Sequence, residues 1–141
     1  MKMKIGVINL AARTSEDMTV SDDLLKKYIG GSGLGVYFLF KYGAHRADPL
    51  SPENPLVFMN GPFQGTGIPT SGRHQILARS PLTDGFGESD CGGTFGYHLK
   101  RAGYDGLIFL GKASSPVYTA VTDGRIEIRD CAFLWGKDTF E

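Results

Sequence analysis

Ser71-Gly72-Arg73 brings together residues that can hold an anion. An arginine offers a planar fork of five donors, matched to phosphate or carboxylate, and keeps its charge at any working pH. It follows Gly65-Thr-Gly-Ile-Pro-Thr70, so it sits where a loop hands over to a strand, a fixed place for a binding group. The plainer reading is a surface arginine with a solvated head. Further along, Gly87-Glu-Ser-Asp-Cys-Gly-Gly93 ends in paired glycines ahead of a helical stretch. Such a pair lets a ligand approach main-chain N–H groups closely. Glu88 and Asp90 repel a phosphate there unless a divalent cation lies between, or their side chains point away and the backbone does the binding.

A third glycine run, Gly30-Gly-Ser-Gly-Leu-Gly35, also stands ahead of a helix, where free N–H groups attract anions. It lacks the G-x-G-x-x-G spacing, and no G-x-x-x-x-G-K-[ST] occurs anywhere, so a turn between two helices is the plainer reading. His45, His74 and His98 lack the i, i+4 spacing of a helical metal site and adjoin no nucleophile arrangement, which marks them as structural. Cys91 and Cys131 are the only cysteines and belong to no Cys-x-x-Cys pair. This chain alone therefore cannot ligate an iron–sulfur cluster or a structural zinc, and two buried or inert thiols are expected.

The elements that must position these groups are readable from the pattern. At 141 residues the chain suits one domain, residues 1–141, that buries roughly two thirds of its unfolded surface. Fifteen basic residues balance fifteen acidic ones, so no global field favours nucleic acid or an anionic membrane. No apolar run approaches the roughly 18 residues that span a bilayer, and no signal peptide opens the chain; a cytoplasmic location is expected. Glycine is the informative total: twenty residues, twelve of them from Gly61 to Gly111, with Val, Ile, Leu, Phe and Tyr recurring between them. That mixture indicates close backbone geometry more than disorder.

Lys2 to Leu10 reads as a strand, Arg13 to Asp17 as a polar turn, and Met18 to Val20 as a short second strand. Ser21 caps a helix that carries Leu24, Leu25, Tyr28 and Ile29 on one face, and a second helix runs from Leu34 to Tyr42. Leu56 to Asn60 and Gln75 to Arg79 read as strands, Pro81 to Gly93 as a loop, Thr94 to Ala102 as a helix, and Leu107 to Leu110 as a strand. Val117 to Thr122 and Arg125 to Arg129 form a hairpin around Asp123-Gly124, a dipeptide suited to a type I′ turn. Gly136 to Glu141 looks like the start of another helix. The order of elements over Ile5 to Ile29 returns over Val117 to Glu141, the pattern of an internal duplication. The whole is an α+β domain.

Nine short motifs, in order, then resemble one family. They are Ile29-Gly-Gly-x-Gly-Leu-Gly35, Asp48-Pro-Leu-Ser-Pro-Glu-Asn54, Asn60-Gly-Pro62, Gly65-Thr66, Pro69-Thr-Ser-Gly-Arg73, Ser80-Pro-Leu-Thr83, Gly92-Gly93, Ala102-Gly-Tyr-Asp105 and Leu134-Trp-Gly-Lys-Asp-Thr139. Together they resemble the N-terminal domain of the tungsten-containing aldehyde ferredoxin oxidoreductases, across essentially the whole chain. The resemblance implies two packed, twisted β-sheets with a few short helices, forming a floor under tungstopterin. In that cofactor two molybdopterin-type pterins hold tungsten, or molybdenum, without a protein ligand, and magnesium bridges their phosphates. It also implies oxidation of an aldehyde to a carboxylic acid, with electrons passing through a [4Fe-4S] cluster to ferredoxin. The cluster ligands and substrate pocket belong to later helical domains of the same protein, so the isolated chain is expected to be inactive. A homodimer is a further expectation of the family.

By the same resemblance the cofactor-binding residues are Arg73, Asp90 and Gly92. Asp90 stands where the family carries Asn, a change without consequence if the main-chain carbonyl meets magnesium and a serious one if a side-chain amide is needed. Ser32 stands where family members often carry Arg, which removes one basic contact. The competing reading is a stand-alone, non-catalytic subunit that binds a pterin or nucleotide. Coding sequence that continues past Glu141 with a Cys-x-x-Cys-x-x-x-Cys run separates the two.

Overall fold

The computed structural model describes residues 2–138. Strands β1 (Met3–Asn9) and β2 (Thr14–Val20) form a hairpin, followed by helices α1 (Asp22–Tyr28) and α2 (Gly31–Lys41). Strands β3 (Leu56–Asn60), β4 (His74–Arg79) and β5 (Phe86–Cys91) lead to helix α3 (Phe95–Arg101) and strand β6 (Gly106–Leu110). A second hairpin, β7 (Val117–Thr122) and β8 (Arg125–Asp130), ends in a 3-10 turn at Ala132–Leu134. Strands one to six make a sheet of order β2-β1-β6-β3-β4-β5, while β7 and β8 form a separate two-stranded sheet. β1 and β6 run parallel, and every other neighbouring pair is antiparallel. The expected α+β class with two sheets and short helices is what the chain adopts.

Both faces of the large sheet are covered, because successive side chains on a strand point opposite ways. Met3, Ile5, Val7, Val57, Met59, Leu77 and Ile108 pack against Leu34, Phe38 and Leu39 of α2. The other face sets Ile8, Leu107, Phe58 and Phe109 against Leu99 of α3, Tyr104, and Val121, Ile126 and Ile128 of the hairpin. The turn of that hairpin has the required geometry, with φ of 48° at Asp123 and 76° at Gly124.

Three elements depart from the sequence expectation. Thr14 to Asp17 belong to strand β2, which pairs along its full length with β1; it is polar because it is an exposed edge. Phe86–Cys91 is likewise an edge strand in what the pattern marks as loop, so the actual loop shrinks to the tip around Pro81 to Gly85. Helix α2 starts at Gly31, three residues before Leu34, and its glycines are inside the first turns. A Cβ on Gly31 would lie 2.7 Å from Gln75 Oε1, and one on Gly35 would lie 2.6 Å from Leu77 Cδ1. Those glycines let the helix lie close on β4. The helix start expected at Gly136 to Glu141 runs into residues 139–141, outside the described residues, as does Thr139 of the last motif. Cys131 is buried as expected, whereas Cys91 is exposed on β5; both thiols are free.

Candidate functional site

The register of β4 and β5 decides whether the two glycine-flanked motifs meet. His74 opens β4 and Cys91 closes β5, and the two are direct partners across the ladder. Arg73 and Gly92 are the next residues outward on the same end. A Cβ placed on Gly72 would come 3.6 Å from Gly93 O, so the two backbones run side by side there. Arg73, Asp90 and Gly92 thus share one end of the sheet. Arg73 is exposed, and among the described residues nothing hydrogen-bonds or ion-pairs with its guanidinium. A Cβ on Gly92 or Gly93 would meet nothing within 4 Å, and Gly93 adopts φ of 76°, where a side chain would be strained.

The two carboxylates on β5 each accept a hydrogen bond from a neutral side chain. Ser32 Oγ of α2 donates to Glu88 Oε1, and Gln75 Nε2 donates to Asp90 Oδ1 at 2.8 Å. Ser32 therefore fixes an acidic neighbour on the α2 side of the sheet. The ladder also orients the Asp90 main chain. Ser80 N–H donates to Gly85 O at 2.8 Å, so pairs alternate from there along the strands. Ala78 with Gly87, Ile76 with Ser89 and His74 with Cys91 take the hydrogen-bonded positions. Gln75 with Asp90 falls between them, so the N–H and C=O of Asp90 point out from the open edge of the sheet. An outward carbonyl suits a hard cation, and bare glycine backbone beside a free guanidinium suits a phosphate.

Further into the sheet, at the same end, lies a row of buried polar groups. Asn60 on β3 and His74 on β4 are direct partners, both buried. Asn60 Nδ2 donates to Gly96 O of α3 at 3.0 Å, and the His74 ring lies 4.8 Å from that of Phe95. Asn60 could have been flagged as a polar residue closing the apolar run Leu56 to Met59. Gln64, buried in the loop before Arg73, has no local signature at all.

His74 is 3% exposed, its Nδ1 has no partner among the described residues, and burial pushes its pKa below the ordinary imidazole value. The unfolded chain then binds more protons than the native one once the pH drops below about 6.5. Stability is full above that value and falls with acidification until the native imidazole itself takes a proton, by at most about 1.4 kcal/mol per pH unit. Asp17, held low by its bond from Lys4, and Asp130, held low by Arg13, act only in the more acidic carboxylate range. Urea unfolding between pH 7.5 and 5 is expected to show this loss in the parent chain and a flatter profile in His74→Phe; equal slopes would refute it.

Residues 5–141 match the family model described as aldehyde ferredoxin oxidoreductase, N-terminal domain. A tungsten-containing aldehyde ferredoxin oxidoreductase of Pyrococcus horikoshii is 44% identical over 134 residues, covering 95% of this chain and 22% of the relative. An aliphatic sulfonate oxidoreductase, WOR-like subunit, of Pyrococcus furiosus is 39% identical over 143 residues, covering 98% and 22%. Among solved structures, the active-site complex BamBC of benzoyl coenzyme A reductase with 1,5-dienoyl-CoA matches with a TM-score of 0.95 at 30% identity. That match covers 99% of this chain and 22% of the solved one. The chain spans 22% of the length of these relatives.

Proposed function

Since the chain belongs to the N-terminal domain family of the aldehyde ferredoxin oxidoreductases, we propose that its β4–β5 end is the floor for a tungsten bis-pterin cofactor. The observation that carries this reading is the juxtaposition of the Arg73 guanidinium, which has no partner among the described residues, with open Gly92-Gly93 backbone across one ladder. The donor set fits such a group: a charged fork for phosphate, no side chain to hold a flat ring away, and both nearby carboxylates fixed by hydrogen bonds within the domain. Arg73 would hold the phosphate-bearing ligand, Gly92 would allow its approach, and the outward carbonyl of Asp90 would face magnesium. Replacement of Asn by Asp at position 90 is then tolerated, because the Asp90 side chain is occupied by Gln75 and the main chain does the binding.

When bound, the cofactor supplies the two-electron chemistry that turns an aldehyde into a carboxylic acid. The acceptors, a [4Fe-4S] cluster and then ferredoxin, would be engaged by parts of the protein beyond these residues. Relatives named for aldehydes and for an aliphatic sulfonate match along nearly the whole chain, and one named for glyceraldehyde-3-phosphate matches 51% of it, which argues that the domain carries the cofactor and leaves substrate choice to other domains. The aldehyde assignment rests on the higher identity to the aldehyde enzymes. Leu82 and Trp135 are 92% and 79% exposed, apolar surface of the kind that further domains of the same protein, or a second copy, would cover. No helix among the described residues is long and apolar enough to cross a membrane.

Metal analysis of the intact protein that carries this chain tests the reading. Tungsten or molybdenum is expected together with iron, and aldehyde-dependent dye reduction is expected from the intact protein but not from the 141-residue chain. An intact protein purified without either heavy metal, and unable to take one up, would overturn it.

A further inference from the structure

Helix α3 begins directly after Gly92-Gly93, and the residue at its N-cap does not cap it. Thr94 occupies that position, yet its side chain accepts from none of the first-turn N–H groups. A helix start leaves four such donors without intrahelical partners. One of them is satisfied from another part of the chain: Tyr97 N–H donates to the side-chain oxygen of Gln64 at 2.7 Å. The nitrogen of the same amide donates to Ser71 O at 2.7 Å and to Arg73 O at 3.2 Å. This is the amide orientation in which every donor faces an acceptor. Gln64 is 2% exposed, so each of these bonds is shielded from water.

The surroundings leave the amide little freedom. A Cβ on Gly96 would lie 2.7 Å from Asn60 Oδ1 and 3.0 Å from the Gln64 amide, so glycine is required where loop and helix meet. Asn60 fastens the carbonyl of that glycine to the end of β3. One buried side chain therefore ties the main chain of Arg73 to the first turn of the helix that follows Gly92-Gly93.

The geometry points to Gln64 as a positioning residue for Arg73, holding the guanidinium-bearing loop at a fixed offset from the glycine pair. The inference rests on the cofactor assignment above, since it is the phosphate-bearing ligand that gives the offset its use. Only an amide performs this double task. A glutamate keeps the acceptor for Tyr97 but cannot donate to the two carbonyls, and a leucine does neither.

Two variants of the full chain separate positioning from mere support of the helix. Gln64→Glu retains the helix cap and loses the grip on the loop. Gln64→Leu gives up the cap and the grip together, and shows what loss of the cap alone adds. In Gln64→Glu the Tyr97 amide is expected to exchange with solvent within about twofold of the parent rate, in Gln64→Leu faster than that, and in both tryptic cleavage after Arg73 quickens about tenfold. Inorganic pyrophosphate, the probe ligand, is expected to bind about tenfold more weakly than to the parent. Parent-like cleavage and pyrophosphate affinity in either variant would overturn the positioning role. Should the parent itself bind no pyrophosphate, the cofactor assignment fails, and the cleavage rates alone decide whether Gln64 fixes the loop.

Discussion

Gly106→Ala is expected to cost the chain about 3 kcal/mol, a large part of the stability of a small domain. Gly106 opens β6, which lies between β1 and β3 in the interior of the six-stranded sheet, and it faces Ile5 on one side and Met59 on the other. A Cβ there would stand 2.6 Å from Phe58 O and 2.8 Å from Met59 Sδ. Methionine can move, but the carbonyl belongs to the neighbouring strand and cannot yield without shifting the ladder. The displacement would also spread to the candidate site. Asp105, the preceding residue, receives the Lys4 N–H at 2.9 Å, pairs with Lys100 of α3, and accepts the Asn60 N–H on its own carbonyl at 2.8 Å. The strand that ends in Asn60 and the helix that follows the glycine pair are thus both anchored beside Gly106. Gly61→Ala is the matching control, since a Cβ there meets nothing within 4 Å; it should stay within about 0.5 kcal/mol of the parent. Urea unfolding measures both, and a Gly106→Ala loss below about 1 kcal/mol would contradict the steric argument.

What the sequence disclosed follows from the range of the interactions involved. The β7–β8 hairpin was legible because two adjacent residues, Asp123 and Gly124, contain the whole turn. Ser21 was legible as a cap for the same reason: its Oγ accepts from Leu24 N–H, three residues on. Thr14 to Asp17 of β2 and the whole of β5 were not, because an edge strand with an exposed face needs no apolar alternation, and Glu88 and Asp90 are held by partners on α2 and β4 that no local pattern reveals. At the site, the residue types of Arg73 and Gly92 suggested anion binding, and family resemblance named the ligand. Their placement side by side comes from the pairing of His74 with Cys91, a register fact. Gln64 was invisible for the strongest version of this reason, since its partners are the carbonyls of a loop and the amide of a separate helix.

Arg73→Ala is expected to leave the unfolding midpoint within about 0.5 kcal/mol of the parent while weakening pyrophosphate binding roughly 10- to 100-fold. The first half follows from exposure: the guanidinium has no partner among the described residues, so its removal breaks no internal bond and opens no cavity. The second half follows from charge. Fifteen acidic residues cancel fifteen basic ones, so any affinity for a phosphate must come from a local group, and the β5 carboxylates oppose it. Arg73→Lys should recover part of the loss, because it keeps the charge but not the two-pronged geometry. Raising the ionic strength should weaken the parent more than the alanine variant, since screening acts on the contact that only the parent makes. In the intact protein the same substitution should lower heavy-metal content without lowering the yield of folded chain. If pyrophosphate binds Arg73→Ala as tightly as the parent, or if the midpoint falls together with the affinity, the guanidinium serves the fold or nothing, and the phosphate must be sought at another face of the sheet.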